Sequence, residues 1–140
     1  MRTLAATLVA LSLSLTASSA LAQSASTQTL THETIANQIE AFRARDGELA
    51  YSYAAPGVKR FFRSPAAFMT MVERGYKPVY APQSYSFGRY GERNGNVVQE
   101  VLITGPEGRE WAALYTLEMQ EDGTVLITSV QLARSGAKAI

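Results

Sequence analysis

From Ser84 to Ala133 apolar and polar residues alternate, and clusters of turn residues cut the alternation into four runs. The breaks are Asn94-Gly95, Gly105-Pro106-Glu107-Gly108 and Asp122-Gly123, residue types that accept the backbone geometry of a tight reversal. Strands are predicted over Ser84–Glu92, Asn96–Thr104, Arg109–Gln120 and Thr124–Ala133. The third run shows the period of two most clearly. Trp111, Ala113, Tyr115, Leu117 and Met119 share one face, opposite Ala112, Leu114, Thr116 and Glu118. Short turns between consecutive strands predict an antiparallel meander.

Upstream of Pro82 the period lengthens to that of helices. Ile35, Ile39 and Phe42 recur at four and three residues, with Thr31 as the expected N-cap, which predicts a first helix from near Leu30 to about Arg45. Asp46 then reads as the cap of a short second helix whose Leu49, Ala50 and Tyr53 continue the apolar stripe until Pro56-Gly57. Val58, Phe61 and Phe62 are expected inside and Lys59, Arg60 and Arg63 outside on the next amphipathic turns. Ser64-Pro65 starts a further helix carrying Phe68, Met71 and Val72; Gly75 is expected to end it in a left-handed conformation, with Pro78 barring continuation. Helices first and a meander second predict an α+β domain, its N-terminal helices packed on one face of a bent four-stranded antiparallel sheet.

The ends change the picture of where this domain works. Arg2, the apolar run Leu4–Leu15 and the small residues before Ala20-Leu21-Ala22 have the three parts of a secretory signal peptide, with cleavage expected after Ala22. A periplasmic or secreted protein without a stable membrane anchor is therefore expected; no cysteine follows the run to carry a lipid. Residues 23–29 read as a disordered lead-in, 30–134 as a single domain and 135–140 as a frayed tail. The chain has no cysteine, which excludes disulfides and thiolate chemistry. Losing Arg2 leaves 12 of the 13 basic residues against 12 acidic ones, so no overall positive field for nucleic acid exists. The charge is uneven all the same. Nine basic and four acidic residues fall between Arg43 and Arg93, whereas two basic and six acidic ones fall between Gly95 and Arg134.

Candidate chemistry is thin. One histidine, no cysteine and no acidic pair at helical ligand spacing argue against a metal site, and the glycines match no phosphate-binding loop, so no cofactor is expected. His32 is expected as an exposed first-turn residue. Asp46 has two readings: the helix cap, or a buried base whose proton-abstracting chemistry would need a tyrosine hydroxyl from Tyr51, Tyr53 or Tyr76 nearby. Lys59, Arg60 and Arg63 read as the solvated side of an amphipathic helix. The tyrosines Tyr51, Tyr53, Tyr76, Tyr80 and Tyr85 are the candidate ligand-binding residues, because an apolar ring with a polar tip suits pocket walls and interfaces.

The segments AFRARDGELAYSYAAPGVKRFF, SPAAFMTMVERGYKPVY and DGTVLITSVQL resemble an exported bacterial family described as domain of unknown function DUF4864, over roughly Ile35 to Leu132. They are also similar to the broader cystatin-like, nuclear-transport-factor-two-like architecture. That resemblance implies helices wrapped by a strongly bent sheet around a conical cavity, and it assigns no catalytic residues. It departs at the last strand, where Val125 stands in place of a tryptophan common in the family. Three functions follow as expectations. The first is a non-enzymatic module for a small apolar or aromatic ligand or a protein partner. The second is an isomerase- or dehydratase-type cavity enzyme using Asp46. The third is a homodimer built through the sheet's outer face around Leu102, Leu114 and Leu126.

Overall fold

A computed structural model describes residues 16–135 of the 140, with side chains from residue 26 onward. The expected signal sequence, apart from the helical backbone of its last seven residues, and the tail beyond residue 135 lie outside the described residues. Among the described residues five helices precede four strands. They are α1 (Thr16–Arg43), α2 (Gly47–Ser52), α3 (Pro56–Phe62), α4 (Pro65–Gly75) and α5 (Lys77–Tyr80), then β1 (Ser84–Arg93), β2 (Asn96–Thr104), β3 (Glu110–Met119) and β4 (Val125–Arg134). The strands lie in the order β1-β2-β3-β4 with every neighbour antiparallel, the expected α+β meander. At the first hairpin Asn94 (φ 53°) and Gly95 (φ 75°) are both left-handed, as a two-residue turn matched to strand twist requires.

Helix α1 starts well before the expected N-cap. Residues 23–29, expected as a disordered lead-in, belong to the helix, and Thr31 is a buried mid-helix residue whose Oγ1 donates to the Thr27 carbonyl at 2.8 Å. The reason is compositional: Thr16 to Leu30 holds four alanines and no glycine or proline, so nothing stops the helix from propagating upstream. At its other end Arg45 takes the left-handed conformation (φ 55°) usually given to glycine. Pro56 does not close α2; it occupies the first turn of α3, where its missing N–H breaks no helical bond. Gly75 is not left-handed either, since α4 ends through Tyr76 at φ −134° with its N–H on the Val72 carbonyl. After α4 the chain makes the single further turn α5, with Pro78 in its first turn.

The core lies between α1 and the inner face of the sheet. Ile35, Ile39 and Phe42 from α1 meet Val97, Val101, Ile103, Ala113, Tyr115, Leu117, Val125 and Ile127 from the strands, all buried. Each of the larger side chains contributes about 1.5–3 kcal/mol on burial. Phe61 departs from the expected inner stripe: it is 79% exposed, resting edge-on against Phe62 with ring centroids 4.9 Å apart. Val58 and Phe62 are four residues apart and share the inward face, which leaves Phe61 on the flank. Leu49, also expected inside, is exposed while Ala50 is buried.

Two irregularities bend the sheet. In β1, Gly88 and Arg89 together face Glu100, because Phe87 pairs with Val101 and Tyr90 with Gln99. In β4, Thr128 is the extra residue, since Thr116 pairs with Ser129 and Leu117 with Ile127. Such bulges increase local twist and bend the strand. The buried Gln99 stitches the first one, its Nε2 donating to the carbonyls of Glu100 (2.7 Å), Arg89 (3.2 Å) and Gly88 (3.4 Å). Its Oε1 is then the acceptor for His32 Nε2 at 3.0 Å, so His32 carries its proton on that nitrogen. His32 is accordingly half-buried in mid-helix, stacked on Phe87 at 3.9 Å, and not the exposed first-turn residue expected.

Tyr115 is fully buried, and its hydroxyl has no hydrogen-bond partner among the described residues. Burial, with a smaller contribution from Tyr85, holds its pKa above the ordinary tyrosine value. An orphaned hydroxyl in the core forfeits about 1–3 kcal/mol. Tyr115→Phe is expected to raise stability by about 1 kcal/mol in urea denaturation. Because the folded-state pKa is raised, ionisation favours the unfolded chain only above its own value of about 10. The variant should therefore lose less stability than wild type as the pH rises beyond that point. A loss of stability at neutral pH on this substitution would show that the hydroxyl is satisfied.

Candidate functional site

Helices α1, α3 and α4 do not close completely on β4. Between them lies a half-open cavity of about 380 Å³. Its walls are Gln38 and Phe42 from α1, Ala54, Val58 and Phe62 around α3, and Phe68, Met71 and Val72 from α4. Tyr76, Val79 and the strand segment Ile127–Val130 complete it. The lining is almost wholly apolar and contains no charged side chain. Its volume falls at the lower end of the range for small-molecule sites, about 300–1,000 Å³.

Local sequence explains each wall. Val58 and Phe62 project inward from α3 at i, i+4; Phe68, Met71 and Val72 do so from α4 at i, i+3, i+4. The orientation of α4 is fixed by Ser64, whose hydroxyl accepts from the Ala67 N–H at 3.1 Å, and by Pro65 in the first turn. The segment after α2 is tied to the sheet edge as a short parallel bridge: Ile127 N–H donates to the Tyr53 carbonyl (2.9 Å) and Ala55 N–H to the Ile127 carbonyl (2.8 Å). That bridge ends at Ile127. At the Thr128 bulge the strand turns away, and the cavity opens there.

Within the wall Gln38 is the buried polar residue, 3% exposed. Its Nε2 donates to the Ala50 carbonyl at 3.1 Å. Thr128 Oγ1 donates to the Thr116 carbonyl at 3.0 Å. A second, smaller hollow of about 240 Å³ shares Val58 and Thr128 with the first and is rimmed by Arg60, Glu118 and Gln120.

The residues singled out from sequence are dispersed. Tyr76 lines the cavity. Tyr51 stands behind it, its ring packed on Phe68 at 5.6 Å and its hydroxyl donating to the Lys59 carbonyl at 2.9 Å. Tyr53 contributes its backbone to the bridge, and Tyr80 packs on Phe42 at 6.0 Å. Tyr85 lies on β1, edge-on to Phe87 at 6.0 Å and with the Arg43 guanidinium 5.8 Å from its ring. Burial raises its pKa, helped by Glu40 and opposed by Arg43. Tyr90, nearby on the same strand, is pushed up to about 12 by burial and by its hydrogen bond to the Glu92 carboxylate.

Asp46 is the cap of α2: its Oδ1 accepts from the Leu49 N–H at 3.0 Å, on the exposed side of the chain. It does not line the cavity, so Asp46 and Tyr76 do not face one void. The arrangement required for a base and an oxyanion donor is not formed by this pair. Sequence reasoning missed Gln38, although a signal was there. It sits at i+3 from Ile35 and i−4 from Phe42, a lone polar residue inside an apolar stripe.

The family model described as Domain of unknown function (DUF4864) matches residues 24–140. The chain belongs to the DUF4864 family. No curated protein and no solved structure matches it. Within the family match lie all the cavity-lining residues, from Gln38 to Val130. Asp46→Ala is expected to lower stability by about 0.5–2 kcal/mol through loss of the α2 cap. It should leave any ligand affinity of the cavity unchanged; a parallel fall in affinity, followed by calorimetry at a temperature where the variant stays folded, would place Asp46 at the site after all.

Proposed function

We propose that this member of the DUF4864 family is an exported, non-enzymatic module that holds a small apolar or aromatic molecule between α3, α4 and β4. The observation that carries the reading is the cavity itself, a half-open, charge-free space whose wall is built from Phe42, Val58, Phe62, Phe68, Met71 and Val130. An apolar wall favours transfer of an apolar ligand out of water by about 25 cal/mol per Å² of buried surface. The N-terminal Arg2, apolar run and Ala20-Leu21-Ala22 support export to the periplasm or beyond, and the family match begins at residue 24, just after the expected cleavage point. Helices on one face of a twice-bulged meander support the cystatin-like, nuclear-transport-factor-two-like cone as the wider architecture. Thermal-shift screening of the mature protein with small aromatic and alkyl compounds should find stabilising ligands. Met71→Trp, which fills the space from α4, should abolish that stabilisation while retaining the fold. Equal stabilisation of wild type and variant would move the ligand elsewhere.

A second reading rests on the outer face of the sheet. There Val98, Leu102 and Leu114 are each 40% exposed on adjoining strands, with Leu102 opposite Ala112 and Leu114 opposite Glu100. Exposed apolar residues grouped on one face in this way, around the Arg89–Glu100 ion pair, suit a second copy of the chain laid face to face. Light scattering of the mature protein at high concentration should then give a dimer mass, which Leu102→Glu reduces to that of a monomer. A monomeric wild type removes this reading.

A further inference from the structure

Gln38 is a buried amide that makes a single side-chain hydrogen bond among the described residues, out of the four its two N–H groups and its oxygen could make. The Ala50 carbonyl can only accept, so the atom 3.1 Å from it must be the amide nitrogen, and Oε1 is the other end of the group. Among the described residues no donor engages Oε1. Nor is that oxygen sealed into the core; the Tyr115 hydroxyl is the one side-chain polar atom there that is both sealed off and unpartnered. Oε1 therefore keeps some of the residue's 3% exposure, and Gln38 is one of the residues that line the cavity.

We infer that the cavity selects an uncharged ligand with an O–H or N–H donor at its buried end, which is bound by Gln38 Oε1; phenols and apolar alcohols are the matching class. The inference rests on the ligand-binding reading of this cavity and specifies its chemistry. An acceptor with nothing to accept is unfavourable once an apolar ligand excludes water from it, so a ligand that brings a donor is preferred over one of the same shape that does not. The absence of any charged side chain from the lining excludes a buried carboxylate or ammonium head, which would lose its hydration without a counter-charge. Tyr76, on the wall, adds an aromatic residue to the lining.

The test compares three probes that share a para-butylphenyl body on the mature wild-type protein by titration calorimetry: para-butylphenol, its methyl ether para-butylanisole, and para-butylbenzoate. The phenol should bind about threefold to tenfold more tightly than the ether, the worth of one net hydrogen bond, and the benzoate more weakly than both. In Gln38→Leu the preference for phenol over ether should vanish. Should that variant fail to fold, the Gln38 side-chain amide resonances of the wild type serve instead, shifting with the phenol and not with the ether. Equal affinities for phenol and ether would overturn this inference while leaving the cavity as the ligand site. Failure of both to bind would overturn the ligand-binding reading as well.

Discussion

Everything else in this structure depends on the burial of one face of a four-stranded sheet beneath a single long helix. The face is continuous across the strands at Val97, Val101, Ile103, Ala113, Tyr115 and Leu117, and α1 covers it with Ile35, Ile39 and Phe42. With no disulfide in the chain, this contact carries the stability. A flat meander would meet a helix along a line only; the bulges at Gly88–Arg89 and Thr128 bend it. Gln99 makes the first bend compatible with burial by sharing its two amide hydrogens among three carbonyls there while accepting from His32 on the covering helix. A buried polar network fully paired in this way specifies one register as well as permitting it.

The cavity is the consequence of the second bend. Before Thr128 the edge of β4 is occupied by the backbone of Tyr53 and Ala55; after it, nothing among the described residues pairs with that edge beside the cavity. The short helices α3 and α4 therefore approach β4 with their apolar side chains but leave a space that their own packing does not fill. The hollow is half-open to solvent, and its volume falls within the range of small-molecule sites. Its position beneath α3 also accounts for the chemistry on the outside. The helix that sends Val58 and Phe62 inward displays Lys59, Arg60 and Phe61 outward, so the basic cluster is not part of the cavity wall.

Legibility in the sequence followed interaction range. The strands were readable to within a residue or two because a period of two and a glycine-bearing turn are local signals, and Asn94-Gly95 adopts the conformation its composition demands. The cap at Asp46 and the Ser64-Pro65 start were readable for the same reason. Errors arose where the deciding contact lay far along the chain. His32 has no local partner; its role is set by Gln99, 67 residues away. Phe61 shares composition with Phe62, yet only the direction of α3 against α4 decides which ring is covered. The start of α1 is not legible at Thr31, because a threonine that can cap can equally well back-bond within a helix, as Thr31 does.

The sequence by itself determined the class of the fold, the order and hairpin connection of the strands, the family, and the apolar stripe on which the core is built. These are properties of neighbouring residues, whose spacing dictates which face is apolar. Tertiary structure decided which of the aromatic residues surround a space and which merely fill one. It separated Tyr76 from Tyr51, Tyr80 and Tyr85, and it turned Gln38 from an interruption in a stripe into a buried polar residue of the cavity wall. The reason is physical. A void belongs to no single element, and it exists only where helices from separate parts of the chain stop short of one strand.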